Sequence, residues 1–196
     1  LKLGFDSVYI YQNDWRTDLE MPNVFKKVID GKCRQLDCYN KFLLKDRDHD
    51  WVAFIDVDEF IVLNKHATIN DFIKRTVKKF GKIKAIGINW VFFGSNGIEK
   101  DDGSDGVLKR FTKRQKSLHS QFKSICKPKP NFEHQVHWTT GEWVDTTFRR
   151  GNGPFNHNAS DEIAQLNHYY LRTYPEFLIK RERGGVDDVN VKKPIE

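Results

Sequence analysis

Cysteine is scarce: 196 residues contain three, Cys33, Cys38 and Cys126. An odd, low number argues against a disulfide framework and for a reducing compartment. No two of them have the spacing of a zinc site. No apolar run nears the roughly 20 residues needed to cross a bilayer. The first residues, LKLGFDSVYIYQND, lack the charged-then-apolar shape of a secretory signal. No block of five like charges occurs, so a nucleic-acid-binding tail is not indicated. There is no P-loop, no internal repeat and no low-complexity stretch. These absences point to a cytoplasmic protein with no transmembrane segment and no nucleic-acid partner. Asn158-Ala159-Ser160 fits an N-glycosylation pattern, so a secretory lumen stays open.

What the chain does have is apolar and aromatic mass. Hydrophobic residues make up 38% and aromatics 13%, enough for a packed core. The formal net charge is +6, which favours phosphorylated ligands or other anions as well as solubility. The length suits one domain over residues 1–196. The chain begins without Met, and residues 1–3 read as a helix tail stopped by Gly4. The expectation is that a first strand and helix lie upstream of this sequence. Oligomeric state is not legible.

Residues 7–11, SVYIY, read as a strand and 33–46 as a helix with Leu36, Tyr39, Leu43 and Leu44 on one face. Trp51–Ile55 is nearly all apolar, as a central strand covered on both faces would be. Thr68 followed by Asp71 predicts a capped helix closed by Gly81. Residues 84–93, KAIGINWVFF, form a further strand. The loop 94–106 holds four glycines in thirteen residues. The segments VLKRFTKR, QFKSICK, FEHQVHW, EWVDTTF and EIAQLNHYYL read as short strands. Thr173-Tyr-Pro-Glu176 is a capping box before a helix ending at Gly184–Gly185. Alternating elements followed by short strands imply an α/β fold with a mixed sheet flanked by helices.

The segment WVAFIDVDEF (51–60) places Asp56, Asp58 and Glu59 after apolar residues. In an extended chain residues i and i+2 share a face, so Asp56 and Asp58 would project together. Two carboxylates held close need a cation. Mg²⁺ or Mn²⁺ prefers such oxygens and keeps positions open for a phosphate-bearing substrate. Solvated acids, or a salt bridge to a nearby lysine, are the plainer alternative.

WVAFIDVDEF, INWVFFGSNG, FKSICKP, QVHW and QLNHYYLRTYPEFLIKRERGG occur in this order across most of the chain. Together they resemble the metal-dependent GT-A glycosyltransferases, in particular the family-2-like and family-92-like groups. The resemblance implies a GT-A fold and transfer of a hexose or deoxyhexose from a nucleotide-diphosphate sugar to a glycan hydroxyl. By it, Asp58 binds Mn²⁺ or Mg²⁺ and Asp56 touches the metal, the ribose or both. Asn13 and Asp14 lie near the base or ribose, and Gln35 near the nucleotide. His168 would be a third metal ligand, with His137 its rival. Lys123, Arg172 and Lys180 are candidates for the phosphates. Trp90 is either a sugar platform or core, whereas Phe92 is expected in the core. An inverting mechanism needs a general base, for which Glu99, Asp101, Asp102 and Asp145 are candidates. Other metal-dependent phosphate chemistry (nucleotidyl transfer or phosphoester hydrolysis) and a non-catalytic carbohydrate-binding module are the competing readings.

Overall fold

The computed structural model describes residues 1–13, 17–31, 33–45, 48–100, 105–128 and 133–182. Within them the fold is α/β. Strands β1 (Val8–Gln12) and β2 (Val24–Val28) form a separate parallel pair. Helix α1 (Gln35–Lys45) follows, then β3 (Val52–Ala53), β4 (Glu59–Leu63), α2 (Ile69–Phe80) and β5 (Ala85–Phe92). A single-turn helix α3 (Val107–Arg110) precedes β6 (Phe122–Cys126), β7 (Glu142–Asp145), β8 (Arg150–Asn152), β9 (Ala164–His168) and α4 (Tyr174–Glu182).

The larger sheet runs β3-β6-β5-β7-β8, with β9 joined to β5 and β4 joined to β9. It is mixed: β6 is antiparallel to β5, whereas β7 and β9 are parallel to it. Strand β5 is the spine. Its first half is held by β6 and β7, and Trp90, Val91 and Phe92 pair with Leu166, Asn167 and His168.

Alternation along β5 sorts the core. Ile86, Ile88 and Trp90 join Ile69, Phe72 and Ile73 of α2 in one cluster. Ala85 joins Tyr39, Phe42 and Leu43 of α1 in another, with Phe122 and Trp143. The sheet is therefore covered by α2 and α1. Helix α2 starts where Thr68 Oγ1 accepts from the Asp71 amide at 3.1 Å. It ends where the Gly81 amide donates to Val77 O at 2.7 Å, with Gly81 at φ 72°. That positive φ suits glycine.

Several expectations need correction. Trp51–Ile55 is not a central strand: only Val52 and Ala53 pair, and only with β6, at the end of the sheet order. Phe54 is buried against α1, with Val52 beside it, Trp51 and Ala53 pack on the cluster of α2, and Ile55 is exposed. VLKR is helical, since the turn lets Phe111 enter a pocket with Val91, Phe93 and Tyr169. Within FEHQVHW the described residues form one isolated bridge, His134 to Thr139. VFKKV, unassigned from sequence, is β2. The capping box holds: the Thr173 amide and hydroxyl donate to Glu176 Oε2 at 3.2 and 2.8 Å. Gly184–Gly185 lie outside the described residues. Among those residues, no helix is long and apolar enough to cross a membrane.

Glycine at 151 is demanded by its cross-strand partner. Trp143 pairs with Gly151 and lays its ring across it, so a Cβ there would stand 2.2 Å from the indole. Gly151→Ala is expected to destabilise the fold by about 1–3 kcal/mol, as overpacking does. Urea denaturation checks this, and a midpoint equal to that of the parent chain would refute it.

Candidate active site

The acids do not end a strand. Strand β3 stops at Ala53, and Asp56, Val57 and Asp58 form the turn into β4. The turn locks itself: the Glu59 amide donates to Asp56 O at 3.0 Å, and the Asp56 amide donates to Glu59 Oε2 at 2.8 Å. The Tyr169 amide ties it to the end of β9 by donating to Asp58 O at 3.0 Å. Val57, 89% exposed, is pushed outward while Asp58 and Glu59 are buried. The two aspartates thus face two different sets of partners.

Asp56 looks toward α1 and β6. Its Oδ1 accepts from Gln35 Nε2 at 2.7 Å and lies 3.4 Å from the Tyr39 hydroxyl, a donor. Its Oδ2 accepts from Lys123 Nζ at 3.2 Å. Lys123 is itself buried, donates to Val136 O at 3.0 Å and stands 3.8 Å from Glu59 Oε2. Burial would raise the Asp56 carboxyl, but the Lys123 ammonium and its hydrogen bond outweigh that and hold it below its usual range. Burial pushes Glu59 up to about 8, with Lys123 opposing and Asp56 adding to the rise. Burial thus favours the protonated form of Glu59, whose Oε2 accepts the Asp56 amide hydrogen.

Asp58 looks toward β9 and α4. Lys180 Nζ donates to its Oδ2, and Arg172 Nη2 is 4.0 Å from the same oxygen. Oδ1 faces His168 Nε2 at 3.9 Å, too far for a hydrogen bond. His168 arrives by register: it is the cross-strand partner of Glu59 and of Phe92. Burial lowers its pKa to about 4, so the ring is neutral. Arg172 sits at φ 49°, where its Nε donates to Tyr169 O at 3.2 Å, aiming the guanidinium at the turn.

Rings pack around His168. Trp90 lies 4.6 Å from it and Phe92 5.2 Å, with His119 5.1 Å from Phe92 and Tyr170 5.7 Å from His168. Lys180 Nζ rests 4.2 Å from the Tyr170 ring centre. The expected division of Trp90 and Phe92 is reversed in part. Trp90 is 4% exposed and belongs to the core, whereas Phe92, nearer the strand end, is half-buried. Trp90 Nε1 and His168 Nδ1 are buried and lack hydrogen-bond partners among the described residues. Such atoms mark a place for water or ligand.

The fold thus gathers Gln35, Asp56, Asp58, Lys123, His168 and Arg172, far apart in the sequence, around one turn. Lys180 joins them. Tyr39, Glu59 and His119 were not anticipated as site residues. The i, i+4 spacing of Gln35 and Tyr39 on one helix face was the available signal for Tyr39. Asn13 is not in this set: its Nδ2 donates to Gly31 O at 2.7 Å, bracing the loop after β2. Asp14, Asp101 and Asp102 lie outside the described residues. Glu99 is exposed on the loop after β5.

Asp145 is a correction. It is 1% exposed, and Oδ1 accepts from the Thr147 amide, the Thr147 hydroxyl and the Arg149 amide at 2.8–2.9 Å. Oδ2 accepts from Asn156 Nδ2 at 3.2 Å. A carboxylate so buried and so occupied organises its own turn and is not presented to an acceptor hydroxyl.

Of the three expected metal ligands, Asp58 and His168 stand close together and Asp56 is held apart from them. Among the described residues no three His, Cys, Asp or Glu side chains converge to hold one ion. Asp56 is turned to Lys123. Asp58 Oδ1 and His168 Nε2 remain, and two ligands each about 2.1 Å from one ion stand at most about 4.2 Å apart. Their 3.9 Å separation fits, as does a neutral imidazole. Mg²⁺ and Mn²⁺ sites commonly take one or two protein ligands and complete the shell with phosphate and water.

Glu59 should make stability depend on pH. Between its ordinary value near 4.5 and about 8 the folded chain keeps a proton that the unfolded chain has lost, so this group's contribution falls as pH rises. Glu59→Gln keeps the acceptor for the Asp56 amide and removes the titration. Relative to the parent, the variant is expected to gain stability steadily from pH 5 to about 8. Denaturant melts across that range check this; a constant difference would count against a protonated Glu59.

A family model described as glycosyltransferase family 92 matches residues 12–182. A curated glycosyltransferase family 92 protein of Ricinus communis is 26% identical over 194 residues, covering 90% of this chain and 32% of the relative. The chain spans about a third of the length of that relative. The matched segment takes in Gln35, the 56–59 turn, Lys123, His168, Arg172 and Lys180. On that match the chain belongs to glycosyltransferase family 92.

Proposed function

We propose that this chain is a GT-A catalytic domain that binds a nucleotide-diphosphate sugar, with Mn²⁺ or Mg²⁺, at the 56–59 turn and passes its hexose or deoxyhexose to a glycan hydroxyl. The observation that carries the reading is the convergence of Lys123, Arg172 and Lys180 on Asp56 and Asp58. Three cations against two carboxylates leave positive charge to spare. A diphosphate is the complementary ligand, met by the Arg172 fork and the lysine point charges.

Asp58 and His168 would hold the ion, and when bound it would offset charge on the departing nucleoside diphosphate. The chain's own residues do the remaining work. Lys180 and Arg172 grip phosphate oxygens from the α4 side as Asp58 turns to its ligand. Asp56, one-third exposed at its side chain, keeps lone pairs for a ribose hydroxyl while Gln35, Tyr39 and Lys123 hold it in place. Phe92, His119 and Tyr170 form a half-buried wall beside His168, suited to the C–H face of a sugar ring. His119 Nδ1 accepts from the Gln121 amide at 3.2 Å. With Nδ1 an acceptor, Nε2 carries the hydrogen and is a donor for a sugar oxygen.

Ligand-induced thermal stabilisation tests the reading. With UDP, GDP and dTDP in turn, one nucleotide is expected to raise the melting temperature by several degrees in Mn²⁺ and much less in EDTA. Ligand at a hundredfold its Kd contributes about 2.7 kcal/mol. Asp58→Asn should abolish the metal-dependent part. A flat response to all three nucleotides with Mn²⁺, or an undiminished one in Asp58→Asn, would sink the proposal.

A further inference from the structure

An open pocket of about 440 Å³ lies apart from the acidic turn, between the 116–120 segment and the 156–161 loop. Lys116, Ser117, Ser120, Asn156, His157 and Asp161 are among its lining residues. These supply a cation, hydroxyls, an imidazole and a carboxylate, a mixture that suits the hydroxyl groups of a neutral polyol rather than a single anion. The 116–120 segment that lines the pocket also carries His119, whose ring meets Phe92 and Trp90 of the site already described.

The far wall is held from inside. Asn156 is buried; its amide donates to Ser120 O at 2.8 Å, and its Nδ2 donates to Asn89 Oδ1 at 2.9 Å and to Asp145 Oδ2 at 3.2 Å. Asn89, buried in β5, returns a bond from Nδ2 to Asn156 O at 3.1 Å and gives another to His119 O at 2.9 Å. Trp143 Nε1 fixes the loop's start by donating to Gly153 O at 2.9 Å. A fully satisfied buried polar network rigidifies what it holds. Here it holds a loop whose outward residues include Phe155, 50% exposed, with its ring 6.0 Å from that of His157. A rigid exposed aromatic ring beside convergent polar groups is how a protein meets a pyranose: the ring takes the C–H face and the polar groups take the hydroxyls.

We infer that this pocket, with Phe155 beside its lining residue His157, is the acceptor-saccharide subsite. The inference rests on the transferase reading above and adds the location and chemistry of the second substrate, a neutral sugar unit. The buried Asn89–Asn156–Asp145 network is its support, which gives Asp145 a role in positioning the subsite.

The probes are the methyl glycosides of glucose, galactose, mannose and N-acetylglucosamine, followed by saturation-transfer NMR at millimolar concentration. Nucleotide stabilisation is recorded on the same samples. At least one glycoside is expected to bind the parent chain and to bind Phe155→Ala and His157→Ala roughly fivefold more weakly. Both substitutions are at exposed positions, and nucleotide stabilisation should be unchanged in them. No glycoside binding, or equal binding in both variants, overturns the subsite while leaving the nucleotide site standing. Glycoside binding without any nucleotide response removes the acceptor role and points to a sugar-binding module.

Discussion

A carboxyl group buried in the sheet, Glu59, accepts the amide hydrogen of Asp56 while its own amide bonds back to Asp56 O. The rest of the site depends on this small ring of hydrogen bonds. It converts what the sequence presents as a strand end into a turn, and a turn sends neighbouring acids in different directions. Asp56 is thereby handed to α1 and Lys123, and Asp58 to β9 and α4. A buried acid next to an ionised one is costly unless one of the two stays protonated. Burial of Glu59 supplies that condition, and Lys123 serves both acids from one buried ammonium.

Electrostatic balance follows from the turn. Lys123, Arg172 and Lys180 come from β6, the segment after β9 and α4, and meet at two aspartates. Lys123 pairs with Asp56, Lys180 pairs with Asp58, and Arg172 stands 4.0 Å from Asp58 Oδ2. The proposed diphosphate site is built from these same three cations. Membership of glycosyltransferase family 92 supplies the class of chemistry with which such a site is consistent, and the arrangement of Asp58 with a neutral His168 is compatible with a divalent ion.

A second buried polar network, Asn89–Asn156–Asp145, lies on the spine strand and its neighbours. Strand β5 therefore organises two surfaces. Its C-terminal residues Trp90 and Phe92 meet His168 on one side, and Asn89 anchors the 153–160 loop on the other. Polar groups buried in a sheet are expensive unless satisfied, and these are satisfied by one another and by loop backbone. That explains why an aspartate placed at a strand end, an apparent candidate for catalysis, is spent on structure.

Much of this was legible in local sequence. The α/β character, the cap of α2 at Thr68, the Thr173 box and the strands around 85–92 and 122–126 follow from periodicity and capping chemistry, which act over a few residues. Residue types also marked Asp56, Asp58, Lys123, His168, Arg172 and Lys180 as site material. What local pattern could not decide was pairing. An apolar WVAFI reads as a central strand whether sheet or helix covers it, yet only two of its residues join the sheet, at its edge. Whether Asp56 and Asp58 share a face depends on the hydrogen bond that the Asp56 amide donates to Glu59, and whether Asp145 is free depends on an asparagine eleven positions away. The sequence by itself determined the elements and the chemistry available. Tertiary structure alone decided which acid meets which cation, because burial and cross-strand register are set by residues far apart in the chain.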